Sequence, residues 1–162
     1  MELRKATEDN SVEDFIDALI DLAYVAMGTA YMHGDNWDIS SCLIHRLNVV
    51  GREFQQLPTN PIAIPPEEEV QKVYNHIMDQ CGNYARYNHE GNMLLAIVML
   101  HSIYDCARAA AIFAGFNWDL HWEEVHSKNM AKERASQDDP RSKRKNSLDI
   151  VKPEGWTGPD HT

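Results

Sequence analysis

The chain has 162 residues, 43% of them hydrophobic, enough for one compact domain or two small helical units sharing a core. Acidic residues outnumber lysine and arginine 25 to 15, leaving a formal net charge of −10, which argues against a sequence-independent grip on nucleic acid. A polyanionic ligand would need a divalent metal or a local basic cluster, and Cys42, Cys81 and Cys106 lack metal-site spacing and cannot all pair, so reduced thiols in a cytoplasmic setting are expected.

The N-terminus, MELRKATEDN, is charged and lacks the apolar core of a secretory signal. The first predicted helix runs from about Val12 to His33: Ser11, with Asp14 three positions on, makes a capping box, and Gly34 supplies the stop. A second helix is predicted from Asp38, an N-cap, through Cys42, Leu43 and Leu47 to Val50. It ends at LPTNPIAIPP, whose four prolines forbid regular structure and mark residues 58–66 as a linker. Pro65-Pro66 followed by Glu67, Glu68 and Glu69 starts a third helix, because proline suits a first turn and acids complement the helix dipole there. That helix is predicted to reach about Ala85, a fourth to span Asn92 to Ala114, and a fifth Asp119 to Ala135. The stretch from Met93 to Gly115 is apolar enough to raise the transmembrane question, but His101, Asp105 and Arg108 interrupt it, and a buried core helix is the expectation. Residues 136–162 read as too polar and too proline-broken to form a packed element, and no alternating strand pattern occurs.

Asn36-Trp37-Asp38 recurs as Asn117-Trp118-Asp119, an offset of 81 residues. The same offset superposes Ile44-His45 on Val125-His126, Asn48 on Asn129 and Gly34 on Gly115. Chance supplies one tripeptide match, whereas a register shared across two helices and the turn between them points to duplication. The predicted fold is therefore all-α, a helical bundle of two fused helix-turn-helix units: residues 1–57 form the first half, 67–135 the second, and 136–162 an irregular tail.

Glu13, Asp17 and Asp21 stand at i, i+4 and i+8, on one face of the first helix, with Asp14 beside them. Their surroundings, from Phe15 to Val25, are apolar almost all round, as in a helix inside a bundle. Stacked carboxylates on a buried helix repel one another and are costly unless a cation joins them, and oxygen-only ligands favour Mg²⁺ or Mn²⁺. The plainer alternative is a solvent-facing stripe that serves solubility. Across the offset, Glu13 corresponds to Leu94, Asp17 to Val98 and Asp21 to Ser102, so the second copy keeps the helix and lacks the acids.

The segments FIDALIDLAYVAMGTAYMHG, WEEVHSKNMAK and SLDIVKPEGWTGPD, in that order, cover 45 of the 162 residues. Together they resemble the MazG-like, all-α nucleoside triphosphate pyrophosphohydrolases, particularly small phage-type members. The resemblance implies Mg²⁺-dependent hydrolysis of a nucleoside triphosphate to monophosphate and pyrophosphate, in the cytoplasm, or the host cytoplasm if phage-encoded. It assigns the family's acid pair to Asp17 and Asp21, with Glu13 completing the metal row, and substrate contacts to Asn129 and Lys132 with His126 beside them. The family's ExxE helix would lie just before MELRKATEDN, where Glu2 alone remains, and the corresponding helix of the second half offers only Asp79. The missing ligands then come from elsewhere, such as Glu67 to Glu69 or a second subunit, or the chain is a catalytically silent relative that binds a nucleotide or a protein partner. A third reading, a structural helical adaptor, requires the acid row to be exposed. Self-association is expected, stable nucleic-acid or membrane binding is not.

Several residues carry plainer readings alongside. Asn129 and Lys132 near a helix end read equally as a cap and a solvated charge, and His45 and His126 as interhelical contacts. Trp37 and Trp118 are expected to anchor turns between helices, and Trp156 to pin the tail. The basic cluster Arg141, Lys143, Arg144 and Lys145 is either a lid over a triphosphate or a solvated run.

Overall fold

A computed structural model describes residues 2–37, 62–134, 140–141 and 150–160. The elements are α1 (Glu2–Glu8), α2 (Val12–Met32), α3 (Glu67–His89), α4 (Met93–Phe113), α5 (Trp118–Met130), β1 (Glu133–Arg134) and β2 (Ile150–Val151). The predicted second helix lies outside the described residues. The all-α expectation holds, with one two-residue antiparallel ladder, β1 on β2, as the strand content among the described residues. The chain divides into two compact units, Met1–Trp118 and Asp119–Thr162, a different cut from the sequence halves.

In the first unit α4 packs against both α2 and α3, and α1 lies against α2. The α2 sequence supplies one continuous apolar face, Phe15, Ile16, Leu19, Ile20, Ala23, Ala26 and Ala30, all buried. Large side chains such as Phe15, Ile16 and Leu19 each contribute roughly 1.5–3 kcal/mol by leaving water. Farther along, Ala26 and Ala30 join Leu100 and Ile103 of α4 and Ile77 of α3 in one buried cluster, with Trp37, Val73 and Tyr84 packed against it. Small residues on α2 let larger ones on its neighbours interlock without leaving a void.

The caps explain where α2 and α4 begin and end, and they repeat. The bounds of the two helices differ by 81 at both ends. Ser11 Oγ accepts from Asp14 N–H and Asn92 Oδ1 from Leu95 N–H, each at 3.3 Å. Ahead of α2, Asn10 N–H donates to Thr7 O and Ser11 N–H to Ala6 O, and ahead of α4, Gly91 N–H donates to Asn88 O and Asn92 N–H to Tyr87 O. Behind α2, Gly34 takes φ +80° while Asp35 N–H returns to Ala30 O, and behind α4, Gly115 takes φ +93° while Phe116 N–H returns to Ala111 O. Glycine is needed at both stops because a left-handed residue closes the last turn. On the same offset α1 ends where α3 ends, so its seven residues match the last seven of α3.

Three expectations are corrected. First, α2 is one-sided rather than apolar all round, with Val25 65% and Met32 85% exposed. Second, the fifth helix stops at Met130 and not Ala135, because residues 133–134 pair with the tail as β1. Third, the tail does contribute a packed element: β2 buries Val151 and leaves Ile150 outside, an alternation too short to register as a strand pattern. The charged N-terminus is helical, a feature its composition hid, and α3 runs four residues past Ala85 to His89. By length and composition α2 and α4 could each cross a membrane. Within this unit α2 and α4 each turn one buried face inward, packing against each other, and α4 packs against α3 as well.

Ser11→Ala and Asn92→Ala are each expected to cost ~1 kcal/mol, read as a drop in the urea midpoint at constant slope. An unchanged midpoint in either variant would show that its cap bond contributes nothing.

Candidate functional site

In the second unit α5 carries His126, Asn129 and, just past its end, Lys132, all half-buried. Asn129 Oδ1 accepts a hydrogen bond from Lys132 Nζ, so two of the three predicted substrate residues meet. Lys132 Nζ also lies 5.5 Å from the centre of the Trp156 ring, and Lys152 Nζ lies 4.1 Å from it. Both are within the range in which an ammonium is drawn to an indole face. Trp156 is held by its own Nε1–H, which donates to Lys128 O at 3.2 Å, while Lys128 Nζ donates to Thr157 Oγ1 at 3.0 Å. Asp160 N–H reaches Glu124 Oε1 at 3.3 Å. The tail is therefore fastened along α5 by three hydrogen bonds.

Arg141, the first residue of the basic cluster, donates to Lys152 O at 3.1 Å and lies 3.7 Å from Glu133. It serves the tail's backbone here, whereas Lys143, Arg144 and Lys145 lie outside the described residues. Lys152 stands in one of the segments that carry the resemblance, but no role was assigned to it there. Its proximity to Trp156 arises from the bend that the Trp156 N–H to Pro153 O bond closes.

The acid row lies in the first unit. Glu13 and Asp21 are exposed and Asp17 is half-buried, on the side of α2 opposite its core face. The buried row expected from sequence is thus an outward one. The stripe continues beyond the acids as Val25, Gly28 and Met32, all exposed. Among the described residues no group of three or more His, Cys, Asp or Glu gathers to hold a metal ion.

A polar pair that sequence did not pick out lies in the core. His101 Nε2 and Asp35 Oδ2 share a hydrogen bond of 3.0 Å, with the two side chains 3% and 7% exposed. Trp37 stacks flat on the imidazole, 3.8 Å between ring centres, and meets Tyr104 edge-on. Trp118, itself buried, donates Nε1–H to Tyr104 Oη at 3.4 Å. Both repeated tryptophans therefore pack rather than face solvent, as anchoring of the turns requires. The one available signal for the pair was His101 itself, a polar residue in the apolar run of α4, whose counterpart on the offset is Ile20.

Comparison with protein-family models, curated proteins and solved structures finds no match.

Cys106 gives a pH-dependent readout of the first unit. Burial pushes its thiol from the usual 9.0 up to about 11, and the charge of Asp105 adds to the effect. Since thiolate is the reacting form, Cys106 is inert near neutrality. The unfolded thiol ionises at lower pH than the folded one, so this group's contribution to stability is present below pH 9 and is lost as pH rises towards about 11. In a Cys42→Ser/Cys81→Ser background the rate of alkylation by iodoacetamide is expected to climb only towards that upper value. A midpoint at the ordinary cysteine value would contradict the burial.

Proposed function

We propose that the chain is a MazG-like, Mg²⁺-dependent hydrolase that splits a nucleoside triphosphate into monophosphate and pyrophosphate. The observation that carries the reading is the way two of the three segments behind the resemblance fold against each other: WEEVHSKNMAK forms most of α5 and its end, and the KPEGW segment is strapped along it. Lys132 there has three N–H donors, of which Asn129 takes one, leaving the others and the Asn129 amide N–H₂ for phosphate or sugar oxygens. Trp156 limits the positions the ammonium can adopt, which reduces the entropy lost on binding. His126, one turn earlier on the same face of α5, is the third substrate-side residue.

The metal side rests on the acid row. Glu13, Asp17 and Asp21 are hard oxygen donors one turn apart, the first and last exposed and Asp17 half-buried, a set that suits in kind an ion that keeps several of its waters. They fit Mg²⁺ or Mn²⁺ in kind and form a partial set, so further ligands are required, from Glu67 to Glu69 or from a second copy of the chain. When bound, the ion supplies electrophilic stabilisation of phosphate oxygens and lowers the pKa of the attacking water. The equivalence of α2 and α4 at caps, ends and backbone hydrogen bonds supports descent of the halves from one duplicated unit, of which the first keeps the acids. On this reading the first half carries the metal chemistry and the second serves packing.

The partial donor set favours a second reading, a silent MazG-like fold that binds nucleotide without turnover. Pyrophosphate release from a panel of ribo- and deoxynucleoside triphosphates with Mg²⁺ or Mn²⁺ separates the two. The wild type is expected to turn over at least one substrate, Asp21→Ala to abolish turnover, and Lys132→Ala to lower it by roughly 10²-fold. Asp21 is exposed, so its removal should shift stability by no more than ~0.5 kcal/mol. Absence of turnover across the panel, with nucleotide still bound, would leave the silent fold.

A further inference from the structure

In a chain of net charge −10, a lysine without a carboxylate partner stands out. In the second unit Lys128 lies 3.8 Å from Glu124 and Arg141 3.7 Å from Glu133. Among the described residues, neither Lys132 nor Lys152 has a carboxylate within ion-pair distance. Lys132 Nζ donates instead to a neutral acceptor, Asn129 Oδ1. Lys152 is exposed.

The fold brings these two lysines together. The ladder pairs Glu133 with Val151 and Arg134 with Ile150, and the same register, carried one step back, sets Lys132 opposite Lys152. Like charges directly opposite one another destabilise a strand pair. Both ammoniums also address one indole, with Lys132 Nζ 5.5 Å and Lys152 Nζ 4.1 Å from the centre of the Trp156 ring, so the two are less than about 10 Å apart. The π face attracts each cation without neutralising it. An anion reaching both would relieve their repulsion and supply the missing counter-charge.

The indole between them is held in place. Its Nε1–H donates to Lys128 O at 3.2 Å, and Trp156 N–H closes a bend on Pro153 O at 3.1 Å. Gly155 takes φ +75° within that bend, a conformation that favours glycine. The bend turns the chain after Lys152 back so that Trp156 meets the lysine side chain.

The cations define the class of ligand. An ammonium is a point charge with three rotatable donors and lacks the flat fork with which arginine matches a carboxylate, so it reads negative charge rather than planar shape. One isolated phosphate engages one ammonium, whereas linked phosphates present oxygens to both.

We propose that Lys152 is a second phosphate-binding residue, which together with Lys132 receives a chain of two or more linked phosphates beside Trp156. This rests on the nucleotide hydrolase reading in taking the anion to be phosphate. Its own content is that the second unit holds the chain by charge, without a metal ion, and that affinity rises with the number of linked phosphates.

Isothermal titration of the full chain in EDTA, with orthophosphate, pyrophosphate and tripolyphosphate as probes, tests it. Affinity is expected to rise along that series, reaching about tenfold or more between the first and the last. Lys152→Ala should weaken tripolyphosphate by about fivefold or more, and Lys152→Arg, which keeps the charge, by no more than about twofold. Lys5→Ala removes one exposed positive charge from α1 and should change the affinity by less than about twofold. No binding of tripolyphosphate by the wild type, affinity indifferent to phosphate number, or equal losses in Lys152→Ala and Lys5→Ala would overturn the proposal. The titration needs neither metal nor turnover, so its failure is distinct from that of the hydrolase reading. Tripolyphosphate held through Lys152 in a chain that never releases pyrophosphate would leave this site standing. Nucleotide turnover alongside binding that ignores Lys152→Ala would remove the site and leave the hydrolase.

Discussion

The contact between α2 and α4 is the constraint on which the first unit depends. Alanines at 26 and 30 let Leu100, Ile103 and Ile77 close over them, and the chain leaving α2 is then tied back by the Asp35–His101 hydrogen bond. A polar pair buried to this degree costs desolvation on both sides and is tolerated because each partner satisfies the other. Loss of the imidazole alone would be expensive, of the order of 3–5 kcal/mol for a buried pair broken on one side. At the equivalent positions the other half carries Ile20 and Phe116, both buried, so the same backbone site accepts either a polar pair or two apolar side chains. The Asp35–His101 bond also runs from the first half to the second. It ties the halves together in a way their shared apolar faces alone do not specify.

Equivalence of backbone and divergence of outer face are the theme of this unit. Positions 12–32 and 93–113 share caps, ends and glycine stops, yet the outward stripe reads Glu13, Asp17, Asp21 in one and Leu94, Val98, Ser102 in the other. Caps and core faces determine whether a helix forms and how it packs, whereas outward residues are free to change chemistry at little cost in stability. On α4 the stripe at the matching positions lines a hollow against the longer α3.

Much of this was legible because its signals are local. Ser11 with Asp14, Asn92, Gly34, Gly115 and Pro66 each act within one turn, so the helix limits near them follow from a few residues. The 81-residue offset was legible from Asn-Trp-Asp alone and extends to hydrogen bonds that no sequence displays. What remained hidden depends on distant partners. Which side of α2 faces the core was obscured because Val25, Tyr31 and Met32 are large and apolar but exposed. Asp35 and His101 are 66 residues apart, and neither carries a motif. The tail looked unstructured because what attaches it, one buried valine, a two-residue ladder and three hydrogen bonds to α5, leaves no pattern in the sequence. Of the candidate site, Asn129 and Lys132 were singled out through the resemblance, whereas their contact and the outward aspect of the acid row were not legible.

On the proposed function, the carboxylate row on α2 would hold a divalent ion, and Lys132 and Asn129 would contact the triphosphate. That function depends on whether the row holds a divalent ion. Electron paramagnetic resonance titration of Mn²⁺, in the presence of a non-hydrolysable nucleoside triphosphate analogue, addresses this without relying on turnover. The account predicts a bound Mn²⁺ whose affinity falls by about tenfold or more in Asp17→Asn/Asp21→Asn, with the fold retained. Mn²⁺ binding that is absent in the wild type, or the same in both proteins, would contradict it.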